Sequence, residues 1–420
     1  MPAAELPATA MLPNLGHADW LRDDATQRVM TAIAGGGFEA RAVGGVVRNS
    51  LLGLPVTDID VATTAKPDDT MRLARAAGFG VIETGLQHGT VTVIVGRKTF
   101  EVTTLRCDVQ TDGRHATVAF TDDWSEDARR RDFTLNALYC DAQGRVHDPL
   151  GGFADLSARR VRFIGDATAR IHEDYLRILR FFRFTAQYGL GDYDAEGLVA
   201  CTRERDGLAL LSAERIRHEL VRVLVAPGAM TAIETMQAHG ILAAIVPMAP
   251  RPSLMARVVA LEDSQHAAGD AMVRLAALAV EIPEDATQLA ETLRLSRDER
   301  ATLLLATSNE ARQTIVPGER DARLLLYLHG ESDYRALLIQ AWARLLAVDV
   351  RDPVWSHAMT LPERWQPLRL PVSGADVMAL GIPSGPKVGE ALRAIEAWWI
   401  EQDFEPDRTA LLARLAAHTS

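Results

Sequence analysis

The sequence of 420 residues contains little lysine, little cysteine and no long apolar run. Only three of its 45 basic residues are lysine, at Lys66, Lys98 and Lys387. No stretch approaches the roughly 18 consecutive apolar residues of a membrane-spanning helix, and Glu5 stands where a secretory signal would carry positive charge. The three cysteines are far apart and form no CxxC pair, which gives neither a zinc knuckle nor a disulfide framework. We therefore predict a cytoplasmic, reduced protein.

The overall charge of −11 argues against a nucleic-acid partner, but its distribution along the chain is uneven. The segment 126–183 holds eleven arginines and nine acidic residues, a local excess of two positive charges in an acidic chain. The planar fork of arginine suits phosphate groups and base edges better than lysine does, although a genome rich in arginine codons explains the composition equally simply. Hydrophobic residues make up 48% of the chain, which excludes wholesale disorder.

Secondary-structure signals divide the chain into a mixed part and a helical part. Residues 22–150 alternate helix and strand patterns, whereas strand signals nearly vanish after Gly151-Gly152. The length suggests about two to four structural units. We predict an α+β fold with a mixed sheet in an N-terminal head and only helices beyond it. The predicted domains are a loose lead-in, a head, a helical neck, a helical body and a helical tail, at 1–21, 22–150, 151–222, 223–365 and 366–420.

Apolar periodicity within the head predicts its individual elements. Helical spacing predicts helices at 24–34, 46–52 and 67–77. Short or alternating apolar runs predict strands at 40–43, 56–62, 90–95, 99–105 and 135–140. Ser125 is expected to cap a helix that runs through the arginine triplet at 129–131.

Three carboxylates in the head have the pattern of a metal site. Asp58 and Asp60 lie two residues apart on a predicted strand, so their side chains point to one face. Two like charges on one face repel each other unless a cation lies between them, and hard divalent cations prefer oxygen ligands. Glu101, on the second hairpin strand, would complete the metal site or accept a proton. The alternatives are an acidic pair that caps a turn and a glutamate that faces solvent.

Glycines and arginines in the same region suit a phosphate group. Gly44-Gly45 separates a predicted strand from a predicted helix, where glycine permits a close backbone approach. Arg48 would add a charge-assisted contact, and one arginine of the triplet 129–131 would neutralise a triphosphate. An ordinary tight turn and a solvated helix face are the competing interpretations.

Asp174 and Arg177 lie three residues apart on a helix predicted from 173 onwards. An i,i+3 ion pair is the simplest interpretation. Alternatively, the carboxylate accepts a hydrogen bond from the exocyclic amine of cytosine or adenine while the arginine donates to a neighbouring acceptor. Guanine and uracil carry a carbonyl at the equivalent position, which a carboxylate would repel. One such pair therefore admits C and A and refuses G and U.

These motifs, in this order, resemble the bacterial class II CCA-adding enzymes, which are tRNA nucleotidyltransferases of the polymerase-beta-like superfamily. The motifs are GGVVR at 44–48, DIDVATTAKP at 58–67, HGTV at 88–91, EVTT at 101–104, RRRDFTLNA at 129–137 and EDYLRILRFFRF at 173–184. They span about 140 residues, and the match extends through 148–152, 161–165 and, more weakly, 371–389. The segment 225–365 is matched only by its helical character. Asn49 departs from the family, which usually has Asp after GGxVR.

The resemblance implies a polymerase-beta-like nucleotidyltransferase head followed by an elongated, all-helical neck, body and tail. It implies that Asp58 and Asp60 hold two Mg²⁺ ions and that Glu101 supports the metals or the attacking hydroxyl. The residues implied to bind the nucleotide are Gly45, Arg48, Arg131, Asp174, Arg177, Arg180 and Arg183. On an ideal helix Arg183 would lie about 180° from Asp174, so it is the least suited of these to direct contact.

The implied activity is template-independent addition of C, C and A to the 3′ end of tRNA from CTP and ATP, with release of pyrophosphate. With the net charge at −11, tRNA must dock on a local arginine surface, for which the candidates are Arg203, Arg205, Arg215, Arg217 and Arg222. The implied partners are therefore tRNA and the two nucleotides, and no membrane is involved.

Three other functions stay open. A poly(A) polymerase would have a GRRF-type strand at the hairpin, where this chain has GTVTVIVGRKTFEVTT. An enzyme that adds only CC or only A is the second. The segment 106–124, which resembles the mobile loop used in switching from C to A, disfavours CC-only addition. A non-catalytic RNA-binding protein is the third, and the presence of all three carboxylates argues against it.

Overall fold

The computed structural model describes residues 12–83, 85–112, 115–313, 315–316 and 318–419, with no side-chain description for 108–118 and 418–419. The chain divides into two compact units, Met1–Pro247 and Met248–Ser420. The finer division into lead-in, head, neck, body and tail stays a prediction.

The described part of the first unit contains a sheet and a series of short helices. Its strands are β1 (Ala40–Val43), β2 (Asp60–Thr63), β3 (Gly80–Ile82), β4 (Thr90–Val95), β5 (Lys98–Thr104), β6 (Arg106–Asp112), β7 (His115–Phe120), β8 (Tyr139–Cys140) and β9 (Val146–His147). Its helices are α1 (Asp19–Arg22), α2 (Asp24–Gly35), α3 (Gly45–Leu51), α4 (Pro67–Ala76), α5 (Trp124–Arg129), α6 (Gly152–Ser157), α7 (Ala167–Glu173), α8 (Leu176–Tyr188), α9 (Ala195–Arg203), α10 (Ala213–Leu224) and α11 (Ala229–Ala238). Single 3₁₀ segments occur at Leu86–His88, Thr134–Asn136 and Arg205–Leu210.

Seven strands form one mixed sheet in the order β3-β4-β5-β2-β1-β8-β9. The pairing of β2 with β5 is parallel and sets Asp60 opposite Glu101, whereas the other pairs are antiparallel. Strands β6 and β7 form a separate antiparallel ribbon where the sequence resembles a mobile loop, and Gly113 and Arg114 lie outside the described residues. The predicted α+β fold with a mixed sheet is therefore confirmed.

The head core lies between one face of the sheet and helices α2 and α4. Val29 and Ile33, four residues apart on α2, and Met71 on α4 are buried against the sheet. In β4 every second residue is buried, which is the period of a strand with one covered face. Each such fully buried aliphatic side chain contributes about 1.5–3 kcal/mol. The apolar periods that predicted α2, α4 and β4 from the sequence therefore match the residues that are buried in these elements.

Some predicted boundaries are wrong. Strand β2 begins at Asp60 rather than at residue 56, because its antiparallel partner β1 ends at Val43 opposite Asp60. Asp58 therefore precedes the strand. The helix expected from Ser125 is instead capped by Asp123, whose carboxylate accepts a hydrogen bond from the Ser125 N–H at 2.7 Å. Because that helix ends at Arg129, it does not carry the arginine triplet.

Two further differences concern short segments. Of the strand predicted at 135–140, only Tyr139–Cys140 is extended, because Thr134–Asn136 forms a 3₁₀ turn. The lead-in predicted to be loose is anchored at two residues of its described part. Leu15 and Leu21 are buried, and the Leu15 N–H donates to the Gly144 carbonyl at 2.7 Å. Residues 1–11 of that predicted segment lie outside the described residues.

The described part of the second unit is helical, as predicted. Its helices are α12 (Pro252–Ser264), α13 (Ala271–Ala279), α14 (Pro283–Leu293), α15 (Arg297–Leu305), α16 (Glu319–Arg344), α17 (Pro353–Met359), α18 (Leu361–Arg364), α19 (Gly374–Ala379), α20 (Pro386–Glu401) and α21 (Arg408–Thr419), with a 3₁₀ turn at Glu310–Arg312. A buried ion pair joins Arg274 to Glu262 at 2.7 Å, and Trp342 stacks on Trp355. A second cluster of buried apolar residues, around Trp399, unites α19, α20 and α21.

Within the described ranges, no helix combines the length and apolar character that crossing a membrane requires.

Candidate active site

A cleft of about 440 Å³, here called the polar cleft, opens at the end of the sheet where the central strand β1 ends and its neighbour β2 begins. This end of the sheet, the turn into α3, the segment after α5, the start of α8 and the start of α10 all line it. Its charged residues are Arg48, Asp60, Arg131, Asp132, Asp174, Arg177, Arg180 and Arg215. Five arginines against three aspartates leave two positive charges in excess, which suits an anionic ligand.

Glycine makes the turn from β1 into α3 possible. Gly44 has φ +70°, in a region that glycine reaches without steric cost. Helix α3 begins at Gly45, and both glycines line the polar cleft. The predicted function of this glycine pair, which is to bring the backbone close to a ligand, agrees with that position.

Arg48 is buried in α3 and is held by three neighbouring side chains. It donates to Asn136 Oδ1 at 2.5 Å and to the Tyr188 hydroxyl at 2.7 Å. Its Nε and Nη2 both donate to Asn49 Oδ1, at 3.1 and 2.9 Å. Burial lowers the pKa of Arg48, and the nearby Tyr188 and Asp132 oppose that change. An arginine nevertheless stays protonated at physiological pH, so a fixed positive charge faces the cleft.

The three predicted catalytic carboxylates occupy different positions. Asp60 lines the polar cleft and also a neighbouring recess of about 600 Å³, here called the side groove. Asp58 lines only the side groove, and Glu101 lines neither. Burial raises the pKa of Asp60, and the charges of Glu101 and Asp58 raise it further while Arg131 opposes them. In the described part of the chain, no residue donates a hydrogen bond to the Asp60 or Glu101 carboxylate.

This arrangement suits a divalent cation that shares its ligands with a substrate. Among the described residues, no three His, Cys, Asp or Glu side chains are grouped so as to hold a metal ion. Mg²⁺ in phosphate-handling proteins is usually bound by one or two carboxylates together with phosphate oxygens rather than by an all-protein cage. Asp58 and Asp60 line the side groove together, and Glu101 lies opposite Asp60 in the parallel strand pair, so the donor set fits that requirement.

The buried carboxylate of Asp127 holds two of the three arginines at 129–131. Its oxygens accept hydrogen bonds from Arg130 at 2.7 Å, from Arg131 at 3.1 Å and from the Tyr139 hydroxyl at 2.8 Å. Burial alone would raise the pKa of Asp127, but the two arginines outweigh it and the pKa is lowered. Arg131 lines the polar cleft, whereas Arg129 is exposed and lines a different recess. The triplet is therefore not one solvated helix face.

The helix predicted from residue 173 is interrupted at Asp174. Helix α7 ends at Glu173 and α8 begins at Leu176, while Asp174 itself is extended, with φ −159° and ψ 107°. Its Oδ1 accepts a hydrogen bond from the Leu176 N–H at 3.1 Å, a local bond of the kind that competes with helix formation. Because Asp174 lies outside the helix, the angular argument that set Arg183 opposite it does not apply.

The i,i+3 ion pair, which was one of the two interpretations of Asp174 and Arg177, does not form. The Asp174 carboxylate pairs instead with Arg215 of α10, whose Nη2 lies 2.6 Å from Oδ2. Arg177 pairs with Glu173 and donates to the Arg170 carbonyl at 2.7 Å. Both residues still line the polar cleft.

Two acidic residues hold the remaining arginines of α8. Arg180 donates through Nε and Nη2 to Asp132 Oδ2, at 2.8 and 2.5 Å. Burial would raise the pKa of Asp132, but Arg180, Asn136 and a backbone N–H outweigh it and lower the pKa to about 2. Arg183 is buried against Glu219 and lines the side groove rather than the polar cleft.

Six of the seven residues implied to bind the nucleotide thus line one cleft, and Arg183 is the exception. The sequence missed four residues that shape it. Asp132 and Asn136 stand four apart inside RRRDFTLNA, a spacing that could have suggested a joint role. Asp127 gave no signal, and Arg215 was predicted only as part of a tRNA-docking surface, because only the fold reveals what a buried carboxylate or a distant arginine contacts.

Two family models match parts of the chain. One, described as the Poly A polymerase head domain, matches residues 40–162. The other, described as a probable RNA and SrmB-binding site of polymerase A, matches residues 194–251. The first match contains the sheet and the carboxylates, and the second contains α10.

Proteins similar over most of their length have closely related names. CCA tRNA nucleotidyltransferase 1, mitochondrial, of Mus musculus is 36% identical over 389 residues, covering 89% of this chain and 86% of that protein. A CCA-adding enzyme of Lactobacillus delbrueckii subsp. bulgaricus is 29% identical over 398 residues, covering 92% and 96%. The crystal structure of the Bacillus stearothermophilus CCA-adding enzyme in complex with CTP has a TM-score of 0.72 and 26% identity, covering 94% of this chain and 96% of that one.

The ion pair between Asp132 and Arg180 predicts a pH-dependent stability difference. The lowered pKa means that ionised Asp132 stabilises the fold above its unfolded value of 3.8, a contribution that is lost as the pH falls towards about 2. We expect Asp132→Asn to unfold at lower urea concentration than the wild type at pH 7. The difference in the free energy of unfolding between the wild type and Asp132→Asn should narrow by roughly 1 kcal/mol between pH 5 and pH 3.

Urea titrations followed by circular dichroism at each pH measure this gap. Asp58→Asn is the control, because the Asp58 carboxylate is exposed and accepts only from the Thr57 hydroxyl among the described residues. A gap for Asp132→Asn that stays constant from pH 7 to pH 3 would contradict the assignment.

Proposed function

The chain belongs to the CCA tRNA nucleotidyltransferase family, and on that premise we propose how its clefts add C, C and A to the 3′ end of tRNA from CTP and ATP. The reaction needs no template strand and releases pyrophosphate. The observation that carries the proposal is the convergence of six nucleotide-binding candidates with Asp60 in one positively charged cleft.

The polar cleft is the proposed nucleotide site. Its volume of about 440 Å³ is typical of small-molecule sites. Arg48 and Arg131 lie beside the glycine turn, where their charges would hold the triphosphate. Because Asn136, Tyr188 and Asp127 already fix these two guanidinium groups, binding requires little reorganisation of the side chains.

Asp58 and Asp60 are the proposed Mg²⁺ ligands, and two ions are expected. When bound, Mg²⁺ stabilises the negative charge that develops on the phosphate oxygens and lowers the pKa of the attacking hydroxyl. Glu101, opposite Asp60 in the parallel strand pair, adds negative charge beside the ligands and is proposed to support them. The arginines of the cleft stabilise the departing pyrophosphate.

Asp174 is proposed to select the base. One of its oxygens is fixed by the Leu176 N–H, and the carboxylate faces the cleft as an acceptor for an exocyclic amine. Arg177 is held by Glu173 and by backbone carbonyls, and its Nε–H makes no hydrogen bond within the described residues. That donor is available to the acceptor edge of cytosine or adenine.

The side groove is the proposed path of the tRNA 3′ end. It reaches Asp58 and Asp60 from the side of Arg222 and Val225–Pro227. Of the two arginines proposed to hold the triphosphate, Arg131 lines only the polar cleft, whereas Arg48 lines both recesses. In-line attack requires the hydroxyl to approach opposite the leaving pyrophosphate. Arg222 is exposed and has no ion-pair partner among the described residues, so its charge is available to a phosphodiester.

The other functions receive less support. The relatives that match over most of their length are CCA-adding enzymes, which disfavours a poly(A) polymerase. The presence of Asp58 and Asp60 together in the side groove disfavours a non-catalytic RNA-binding protein. Addition of only CC or only A stays an alternative, which product lengths distinguish. A cytoplasmic location is a prediction from sequence alone.

Removing a metal-binding carboxylate should abolish incorporation. Asp58→Ala and Asp60→Ala each remove a ligand worth several kcal/mol in the transition state, so turnover should fall by about 10³-fold or more. Asp68→Ala, which removes an exposed acid on α4, is the control. Incorporation of radiolabelled CTP into tRNA lacking CCA measures the rate, with thermal unfolding as a check of folding. Near-normal turnover of Asp58→Ala or of Asp60→Ala would contradict the metal assignment.

Removing Asp174 should relax the choice of base. Asp174→Ala loses the acceptor for the amine and the repulsion against a carbonyl, so discrimination against UTP and GTP should fall about 5- to 150-fold. Asp58→Ala should depress all four nucleotides alike. The measurement is incorporation of each NTP onto tRNA ending in CC. If the Asp174 variant is slower but keeps its preference for C and A, base selection lies elsewhere.

Removing Arg222 should weaken the binding of tRNA without affecting the binding of nucleotide. Loss of one phosphate contact should raise the KM for tRNA and reduce the slope of log affinity against log salt by about 1. Arg72→Ala, an exposed arginine on α4, is the matched control. Kinetics at several salt concentrations separate the two KM values. An unchanged KM for tRNA, or an equal rise in the KM for CTP, would count against the side groove.

A further inference from the structure

We propose that Arg215 determines nucleotide selectivity by holding the Asp174 carboxylate, and is therefore a positioning residue of the nucleotide site. This inference rests on the proposed function, and in particular on base selection by Asp174. The sequence had suggested that Arg215 contacts tRNA. Its position in the polar cleft, paired with Asp174, supports a different role.

The geometry fixes both oxygens of the Asp174 carboxylate from two separate elements. Oδ1 accepts from the Leu176 N–H at 3.1 Å, which belongs to the start of α8. Oδ2 accepts from Arg215 Nη2 at 2.6 Å, in the first turn of α10. The backbone of Asp174, in the break between α7 and α8, is fixed, because its N–H donates to the Ile171 carbonyl at 3.1 Å and its carbonyl accepts from the Arg177 N–H at 3.0 Å. The orientation of its side chain depends on the Leu176 N–H and on Arg215. Arg215 is thus the side chain that sets the orientation of the carboxylate.

Helix α10 is itself anchored, so Arg215 is a fixed support. Glu219, one turn further along α10, is buried and pairs with Arg183 of α8. The same carboxylate lies 3.8 Å from Arg180, which Asp132 also holds. These ion pairs join α8 and α10 on the side next to the cleft. A displacement of Arg215 would therefore require the two helices to separate.

The pairing leaves the carboxylate able to read a base. An ionised carboxylate offers about four lone-pair sites, of which the Leu176 N–H and Arg215 use one each. The remaining sites are available to an exocyclic amine. A carboxylate held in this orientation also repels the carbonyl of uracil or guanine, so the same contact serves acceptance and rejection.

Without Arg215, the Asp174 side chain could rotate away from the base edge. The amine contact would then weaken, and the repulsion against a carbonyl would weaken with it. Selectivity should fall even though the carboxylate is still present. A residue that only contacted tRNA would instead change the affinity for tRNA and leave the ratio between nucleotides unchanged.

The test compares CTP with UTP incorporation onto tRNA lacking its 3′ CCA, for wild type, Arg215→Ala, Arg215→Lys, Asp174→Ala and the double alanine variant. We expect Arg215→Ala to lower the kcat/KM ratio of CTP to UTP by roughly 10-fold. Arg215→Lys, which keeps a charged donor, should recover most of that ratio. The double variant should be no less selective than Asp174→Ala alone, because Arg215 acts through Asp174.

Arg160→Ala is the matched control, because it removes an arginine that pairs with Asp155 at 2.6 Å and lines no part of the polar cleft. A wild-type ratio in Arg215→Ala, with or without a raised KM for tRNA, would overturn the inference. So would a double variant whose loss equals the product of the two single losses. An unchanged ratio in Asp174→Ala would overturn base selection and this inference together, whereas a wild-type protein that incorporates no CTP would overturn the proposed function itself.

Discussion

The polar cleft depends on buried acidic residues that hold arginines in fixed positions. Five guanidinium groups line a cleft of about 440 Å³, and without opposing charge these groups would repel one another within so small a volume. Asp127 holds Arg131, and Asp132 holds Arg180. Because the acids that line the cleft are fewer than the arginines, the protein keeps an excess of positive charge there without leaving its arginines unsupported. That excess is available to a triphosphate.

The same contacts join segments that are distant in sequence. Arg170 of α7 donates to the carbonyls of Arg130 and Arg131 and pairs with Glu173, which in turn pairs with Arg177. The segment that supplies a phosphate-binding candidate is therefore attached to the segment that carries the base-selecting candidate. In a site where positioning supplies most of the catalysis, a displacement of about 1 Å can cost about 100-fold in rate. The network limits such displacements.

Much of the head was predictable from sequence, because its elements follow simple apolar periods and its glycines mark a turn that few other residues permit. The strand pair β4–β5 and the turn before α3 are examples. The start of β2 was not predictable, since it depends on where its partner β1 ends. The break at Asp174 was missed because the surrounding residues continue a helical pattern. The partner of Asp174 lies 41 residues away in the sequence, and only the packing of α10 brings it to the cleft.

The most direct test of the proposed activity is the length of the product formed on tRNA that lacks its three terminal nucleotides. An enzyme that adds C, C and A should add two residues with CTP alone, none with ATP alone and three with both nucleotides, and each step should require Mg²⁺. A long tract of A with ATP alone would contradict this activity and favour a poly(A) polymerase. A product that stops after two residues when both nucleotides are present would contradict complete addition and indicate an enzyme that adds only CC.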